Sequence, residues 1–105
     1  MAAERRSGSR IPTSVPLRWR AVRLERIDDG HDGVMIDVSR GGCCVELPEV
    51  PPSLGLGSVV EIELRTQIGM TTRRGLVVAD PGVDRRLHLA LRVGSDEEDL
   101  VSLLT

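Results

Sequence analysis

The chain has no lysine, no phenylalanine and no tyrosine, and one tryptophan, Trp19, is its entire aromatic content. Without large aromatic rings the core must be built from valine, leucine and isoleucine, side chains that suit a pleated surface. The same absence removes the stacking platforms on which single-stranded nucleic acids are held. A formal charge of −2 argues against a general binder of polyanions, so no nucleic-acid polymer is expected as a partner. Cysteine is scarce too. Cys43 and Cys44 are the only two, and as immediate neighbours they offer neither a disulfide framework nor the spacing of a zinc site. On a strand they would point to opposite faces, Cys43 inward and Cys44 outward. No apolar run approaches the length that crosses a bilayer, and the stretch MAAERRSGSR lacks the apolar segment of a secretory signal. A cytoplasmic protein with no membrane partner is the expectation.

What is present is one domain's worth of chain. A length of 105 residues can bury a modest single core without covalent staples. All 14 basic residues are arginine, a bias that a GC-rich genome produces without any function. Their distribution says more. Seven fall in residues 1–26 against two acids, and seven in residues 27–105 against fourteen. A basic N-terminal third on an acidic body suits a local anion site.

Residues 1–12 are polar, broken by Ser7-Gly8-Ser9 and Pro12, and read as a flexible arm; residues 13–105 read as a single domain. Thr13–Ile27 alternates as a long strand. Leu17, Trp19 and Ala21 share one face and Val22 and Leu24 the other, which predicts a β-bulge or bend between Ala21 and Val22. Asp28-Asp29-Gly30-His31-Asp32-Gly33 has turn chemistry. Further strands are predicted at Val34–Val38, Cys43–Leu47, around Val60-Ile62-Leu64, at Met70–Ala79 and at Leu87–Val93. The Leu76-Val77-Val78-Ala79 end of the fifth reads as buried on both sides. Ser95-Asp96-Glu97-Glu98 has the pattern of a capping box with an acidic first turn, and Leu100, Val101, Leu103 and Leu104 follow at helical spacing. A short helix over about 95–105 is therefore expected on an open end or face of the sheet. Six strands at this spacing favour a mainly all-β fold, a small closed antiparallel barrel, because closure leaves no exposed edge.

Two stretches carry polar chemistry. In Arg5-Arg6-Ser7-Gly8-Ser9-Arg10, Arg6 and Arg10 are an even number of residues apart, so in an extended arm they face the same way. Two guanidiniums so placed can fork onto phosphate oxygens or onto the O6/N7 edge of guanine. A solvated charged tail would have the same composition. In Ile36-Asp37-Val38-Ser39-Arg40-Gly41-Gly42, Asp37 can accept from a guanine's N1–H and N2–H₂ and the Ser39 hydroxyl can reach a phosphate or a base. Gly42 would let backbone approach a planar ligand. Asp, Ser and Gly are equally the default residues of a hairpin turn, and taken alone the stretch reads both ways.

Taken together, R-x-x-x-R at Arg6 and Arg10 followed by D-x-S-x-x-G at Asp37, Ser39 and Gly42 resembles the PilZ domain family. The resemblance spans nearly the whole chain: the arm, the long first strand, the motif hairpin, the Leu56-Gly57-Ser58-Val59-Val60 lead into the fourth strand, and the C-terminal helix. It implies a six-stranded antiparallel β-barrel of PilZ type and a bacterial receptor for cyclic di-GMP. Arg6 and Arg10 would then bind guanine and phosphate from the arm, and Asp37, Ser39 and Gly42 would form the barrel half of the site. Arg5, directly before the first motif arginine, implies a stacked, intercalated cyclic di-GMP dimer as ligand in place of a single molecule. No resident cofactor is implied. The output would be a changed surface that passes occupancy to a downstream protein, which the residues do not identify. With no heptads and no long terminal helix, a monomer is expected. One stretch departs from the family: Leu89-Ala90-Leu91-Arg92-Val93 has neither the Gly nor the Phe that often mark the late strand.

Two alternatives come from other classes. One is a PilZ-like interaction module that has lost its ligand, which the complete set of motif residues opposes. The other is a small nucleic-acid-binding barrel using the basic arm, which net acidity opposes. Trp19 reads as core. His31 and His88 match no metal spacing, and Asp28, Asp29 and Asp32 lack the remaining ligands of a calcium loop. No nucleophile–base order is present, and no enzymatic activity is expected.

Overall fold

The computed structural model describes residues 10–22, 30–91 and 99–104. Strands β1 (Ile11–Val22), β2 (His31–Ser39), β3 (Gly42–Glu46), β4 (Val59–Thr66), β5 (Gly69–Val77) and β6 (Arg86–Leu91) are followed by helix α1 (Leu100–Leu104). Neighbouring strands are antiparallel throughout, and the order β1-β2-β3-β6-β5-β4 closes on itself. The expected six-stranded barrel with a short C-terminal helix is the fold. β3 and β4 stand on opposite sides of the ring, so the chain between them crosses one end and delivers Leu54 to the core. α1 closes the other end, where its Leu100 and Leu103 are buried in the core cluster. Asp99 Oδ1 caps α1 by accepting from Ser102 N at 3.0 Å, and the Leu103 carbonyl accepts from Gln67 N at 3.2 Å in the β4–β5 turn. The predicted capping box, Ser95–Glu98, lies outside the described residues.

The interior follows the two-residue period of the strands. Val60, Ile62 and Leu64 of β4 point in while Glu61, Glu63 and Arg65 point out. Met35, Val38, Val45, Val77, Leu87 and Leu89 fill the facing positions. Burying one such aliphatic side chain stabilises the fold by about 1.5–3 kcal/mol. Trp19 is core, 2% exposed, with its ring stacked on His31 at a centroid distance of 4.6 Å. Its buried Nε1–H has no acceptor among the described residues, a cost of about 1–3 kcal/mol that the surrounding packing offsets.

Four local expectations are corrected. β1 starts at Ile11, so Ile11 and Pro12 belong to the barrel and not to the arm; they pair with Val38 and Asp37. The irregularity in β1 falls between Pro12 and Val15, while pairing to β4 runs unbroken through Ala21 and Val22. β2 begins at His31, three positions early, because stacking on Trp19 draws His31 into the sheet. In β5 only Val77 of the terminal apolar run is buried; Leu76, Val78 and Ala79 are exposed. Residues 11–16 of β1 pair with β2 alone. Pro12 and Pro16 carry no N–H, which blunts this short open edge.

Cys43 is in the core cluster as expected, and Cys44, although it faces outward, is buried as well. Burial, reinforced by Cys44 and Asp37, pushes the Cys43 thiol from its ordinary 9.0 up to about 12. The folded thiol keeps a proton that the unfolded chain releases, so the stabilising contribution is complete below pH 9.0 and is lost as pH climbs toward about 12. The slope is on the order of 1 kcal/mol per pH unit. Urea midpoints measured across this alkaline range should fall, and Cys43→Ala should flatten that fall.

Candidate functional site

The hairpin that carries the motif is built by a defect in the ladder. Pairing of β2 with β3 shifts register between Met35 and Asp37, and both Met35 and Val38 point into the core at a spacing of three. One extra residue is accommodated there, a bulge that turns Asp37 toward the rim instead of along the regular alternation. The irregularity of β1 between Pro12 and Val15 lies directly across, beside the Pro12–Asp37 pair. Arg10, the last residue before β1, reaches Asp37 in an ion pair with Nη1 to Oδ1 at 2.6 Å. Two residues 27 positions apart are thus brought into contact. The side chains remain 57% and 26% exposed, so the pair adds less than about 1 kcal/mol to stability. Its importance is positional, since it lays a guanidinium on the barrel rim.

The other two barrel residues of the motif serve the hairpin itself. Ser39 Oγ donates to the Gly42 carbonyl at 3.3 Å and closes the Arg40–Gly41 turn. Gly42 pairs with Ala90 of β6, and a methyl group on Gly42 would run into the Leu89 backbone carbonyl oxygen. Glycine is required there by the approach of two strands. The neighbouring Leu91 N donates to the Gly41 carbonyl at 2.9 Å, which ties the turn to the end of β6. Arg10, Asp37, Ser39 and Gly42 therefore converge on one corner of the barrel, at the end that α1 closes. Arg5 and Arg6 lie outside the described residues.

One residue in this corner was passed over in the sequence. Arg40 sits exposed at the tip of the turn between Ser39 and Gly42, and it makes no ion pair among the described residues. Its signal was available, because it is the only charged side chain inside the D-x-S-x-x-G spacing. Arg86 on β6 also belongs to the local field. The Cys44 thiol between them is raised by burial and by Asp37, and is drawn the other way by Arg86 and Arg10. With Arg10 already matched by Asp37, Arg40 is the cation at the turn that no described residue compensates. Such a corner can accept an anionic group on guanidinium donors while a carboxylate accepts N–H donors from the same ligand. Arg40→Ala should lower affinity for an anionic ligand about threefold to tenfold and reduce its salt dependence, without moving the unfolding midpoint; binding isotherms at two ionic strengths measure it.

Among the described residues, no group of three or more His, Cys, Asp and Glu side chains is placed to hold a metal ion. None of the described helices is long and apolar enough to cross a membrane.

No curated protein matches the chain. Among solved structures, the chain is similar to the PilZ domain of CeSA from a cellulose-synthesizing bacterium, with a TM-score of 0.66, 21% sequence identity and coverage of 83% of each chain. At that identity the likeness shows the fold. The family model for the PilZ domain matches residues 4–105, the arm included. The chain belongs to the PilZ domain family.

Proposed function

We propose that this domain is a cyclic di-GMP receptor that holds its ligand between the N-terminal arm and the β2–β3 rim. The observation that carries the reading is the Arg10–Asp37 contact at 2.6 Å, which joins the end of the arm to the start of the barrel motif. In this reading Arg6 and Arg10 fork onto guanine and phosphate, as planar guanidiniums do best. Asp37 accepts from the guanine edge, and Ser39 and Gly42 hold the turn that presents Asp37 and Arg40. Arg5 adds a further cation for a second ligand molecule. The ligand is then an intercalated dimer whose phosphate charges neutralise arginines that repel one another. Binding bridges the arm arginines to the rim and changes the surface shown to a downstream protein. The receptor acts as a cytoplasmic monomer and performs no chemistry.

Isothermal titration of the whole chain with cyclic di-GMP, using GTP and a short RNA as controls, tests this. Saturable binding of cyclic di-GMP alone, at two molecules per domain, is the expected result. A stoichiometry of one would remove the dimer, and no binding would remove the receptor.

A further inference from the structure

The outer wall of the barrel carries a second organised surface, which reaches the motif hairpin at one end. Four of its exposed aliphatic side chains, Leu56, Val59, Leu76 and Val78, gather at one place. Register puts Val22, Val59, Leu76 and Ala90 in a single row across β1, β4, β5 and β6. They point outward because Val60, Gly75, Val77 and Leu89, their chain neighbours, point in. Val78, two residues past Leu76 on the same face, widens the band, held by its N–H to the His88 carbonyl at 3.0 Å. Leu56 is fixed beside it, its N–H donating to Asp80 Oδ1 at 2.7 Å while Gly57 N donates to the Val77 carbonyl at 2.9 Å. These residues are structured, so the apolar wall is a formed feature and not a loose loop.

The next row is charged. Arg20, Glu61 and Arg74 are cross-strand neighbours, and Glu61 lies 3.6 Å from the Nε of each arginine. Two guanidiniums share one carboxylate, and both use Nε to do so, which leaves their terminal Nη groups for other acceptors. Arg74 is 60% exposed. An apolar band therefore runs beside a band of net positive charge. A second copy of this face would set Arg20 and Arg74 against their own counterparts. A phospholipid surface fits poorly, since the band lacks the interfacial aromatic side chains that anchor to headgroups and Asp80 stands at its Leu56 end.

We propose that this face docks an acidic amphipathic segment of a partner protein. Its aliphatic side chains would cover Val59, Leu76 and Ala90, and its carboxylates would engage Arg20 and Arg74, an arrangement in which charge sets the choice of partner. The apolar row runs on to Gly42, the partner of Ala90 on β3, so the docking face abuts the ligand rim. The inference rests on the exposed rows themselves and stands or falls separately from the ligand.

The test uses the ¹⁵N-labelled whole chain and two synthetic amphipathic helices with the same leucine face, one bearing glutamate on its polar face and the other lysine. The glutamate peptide should shift the amide signals of Val59, Glu61, Arg74, Leu76 and Ala90, and the lysine peptide should not. Leu76→Asp and Arg74→Glu should each weaken the glutamate peptide about tenfold or more, with the protein still folded at the titration temperature because both side chains are exposed and the charge reversal opposite Glu61 costs less than about 1 kcal/mol. Arg74→Glu should also move the preference toward the lysine peptide. Equal response to both peptides, or shifts elsewhere on the barrel, would overturn the proposal. So would capture of phosphatidylglycerol vesicles, in place of the glutamate peptide, through these same residues. Self-association that Leu76→Asp abolishes would assign the face to a second copy and overturn it too.

Discussion

Gly42→Ala should lower the free energy of unfolding by about 2–3 kcal/mol, even though it adds only one methyl group. The methyl would meet the Leu89 carbonyl oxygen, a backbone atom, and neither partner can rotate away as a flexible side chain would. β3 and β6 must separate locally, and the loss is that of an overpacked interior. Trp19 is the sole indole and is buried in the same barrel, so its fluorescence in a urea titration reports the change directly. Ligand affinity in this variant should fall together with stability and not ahead of it. A midpoint equal to the wild type would show that the β3–β6 contact yields, and would return Gly42 to a role in touching ligand.

Arg6→Ala and Arg10→Ala should do the opposite, abolishing cyclic di-GMP binding, by about 100-fold or more, while leaving the fold untouched. The Arg10–Asp37 pair is solvent-accessible, with side chains 57% and 26% exposed, and pairs of this kind contribute less than about 1 kcal/mol. Arg10→Lys sharpens the reading. It keeps the charge but loses the planar fork, so it should recover only part of the affinity. Calorimetry on the three variants beside their urea curves separates binding from stability. Wild-type affinity in both alanine variants would end the assignment.

The parts of this protein that were legible in its sequence are those set by local rules. The alternation of Val60, Ile62 and Leu64 with Glu61, Glu63 and Arg65 places β4 because a half-buried strand must repeat every two residues. The barrel follows because six such strands in a short chain have no cheaper way to hide their edges. The misreadings share a cause, which is contact with residues distant in sequence. Val22 looked like a switch of face because an apolar residue was assumed to point inward. It points outward, into the apolar row with Val59 and Leu76. The same row explains why Leu76 and Val78 are exposed when their run looked buried on both sides.

The site shows the same division. Asp37 and Arg10 could be nominated from their spacing, but only the closed barrel shows them touching. The bulge that turns Asp37 outward lies in the β2–β3 ladder and leaves no mark on the local composition. Gly42 was assigned to ligand approach on the general freedom of glycine. The structure adds a packing reason at Leu89, a neighbour that no local pattern could supply. Alternation points Cys44 outward, yet it is buried, because alternation sets direction and not what lies over the side chain.

The central claim is that the arm and the β2–β3 rim together form a single cyclic di-GMP site, and an amide-resolved titration of the ¹⁵N-labelled whole chain with cyclic di-GMP tests it most directly. The account predicts saturable shifts at Arg10, at Asp37 through Gly42, and at Leu91, whose N–H is tied to the turn through the Gly41 carbonyl. Binding with those signals unmoved and the shifts confined to another face of the barrel would contradict it.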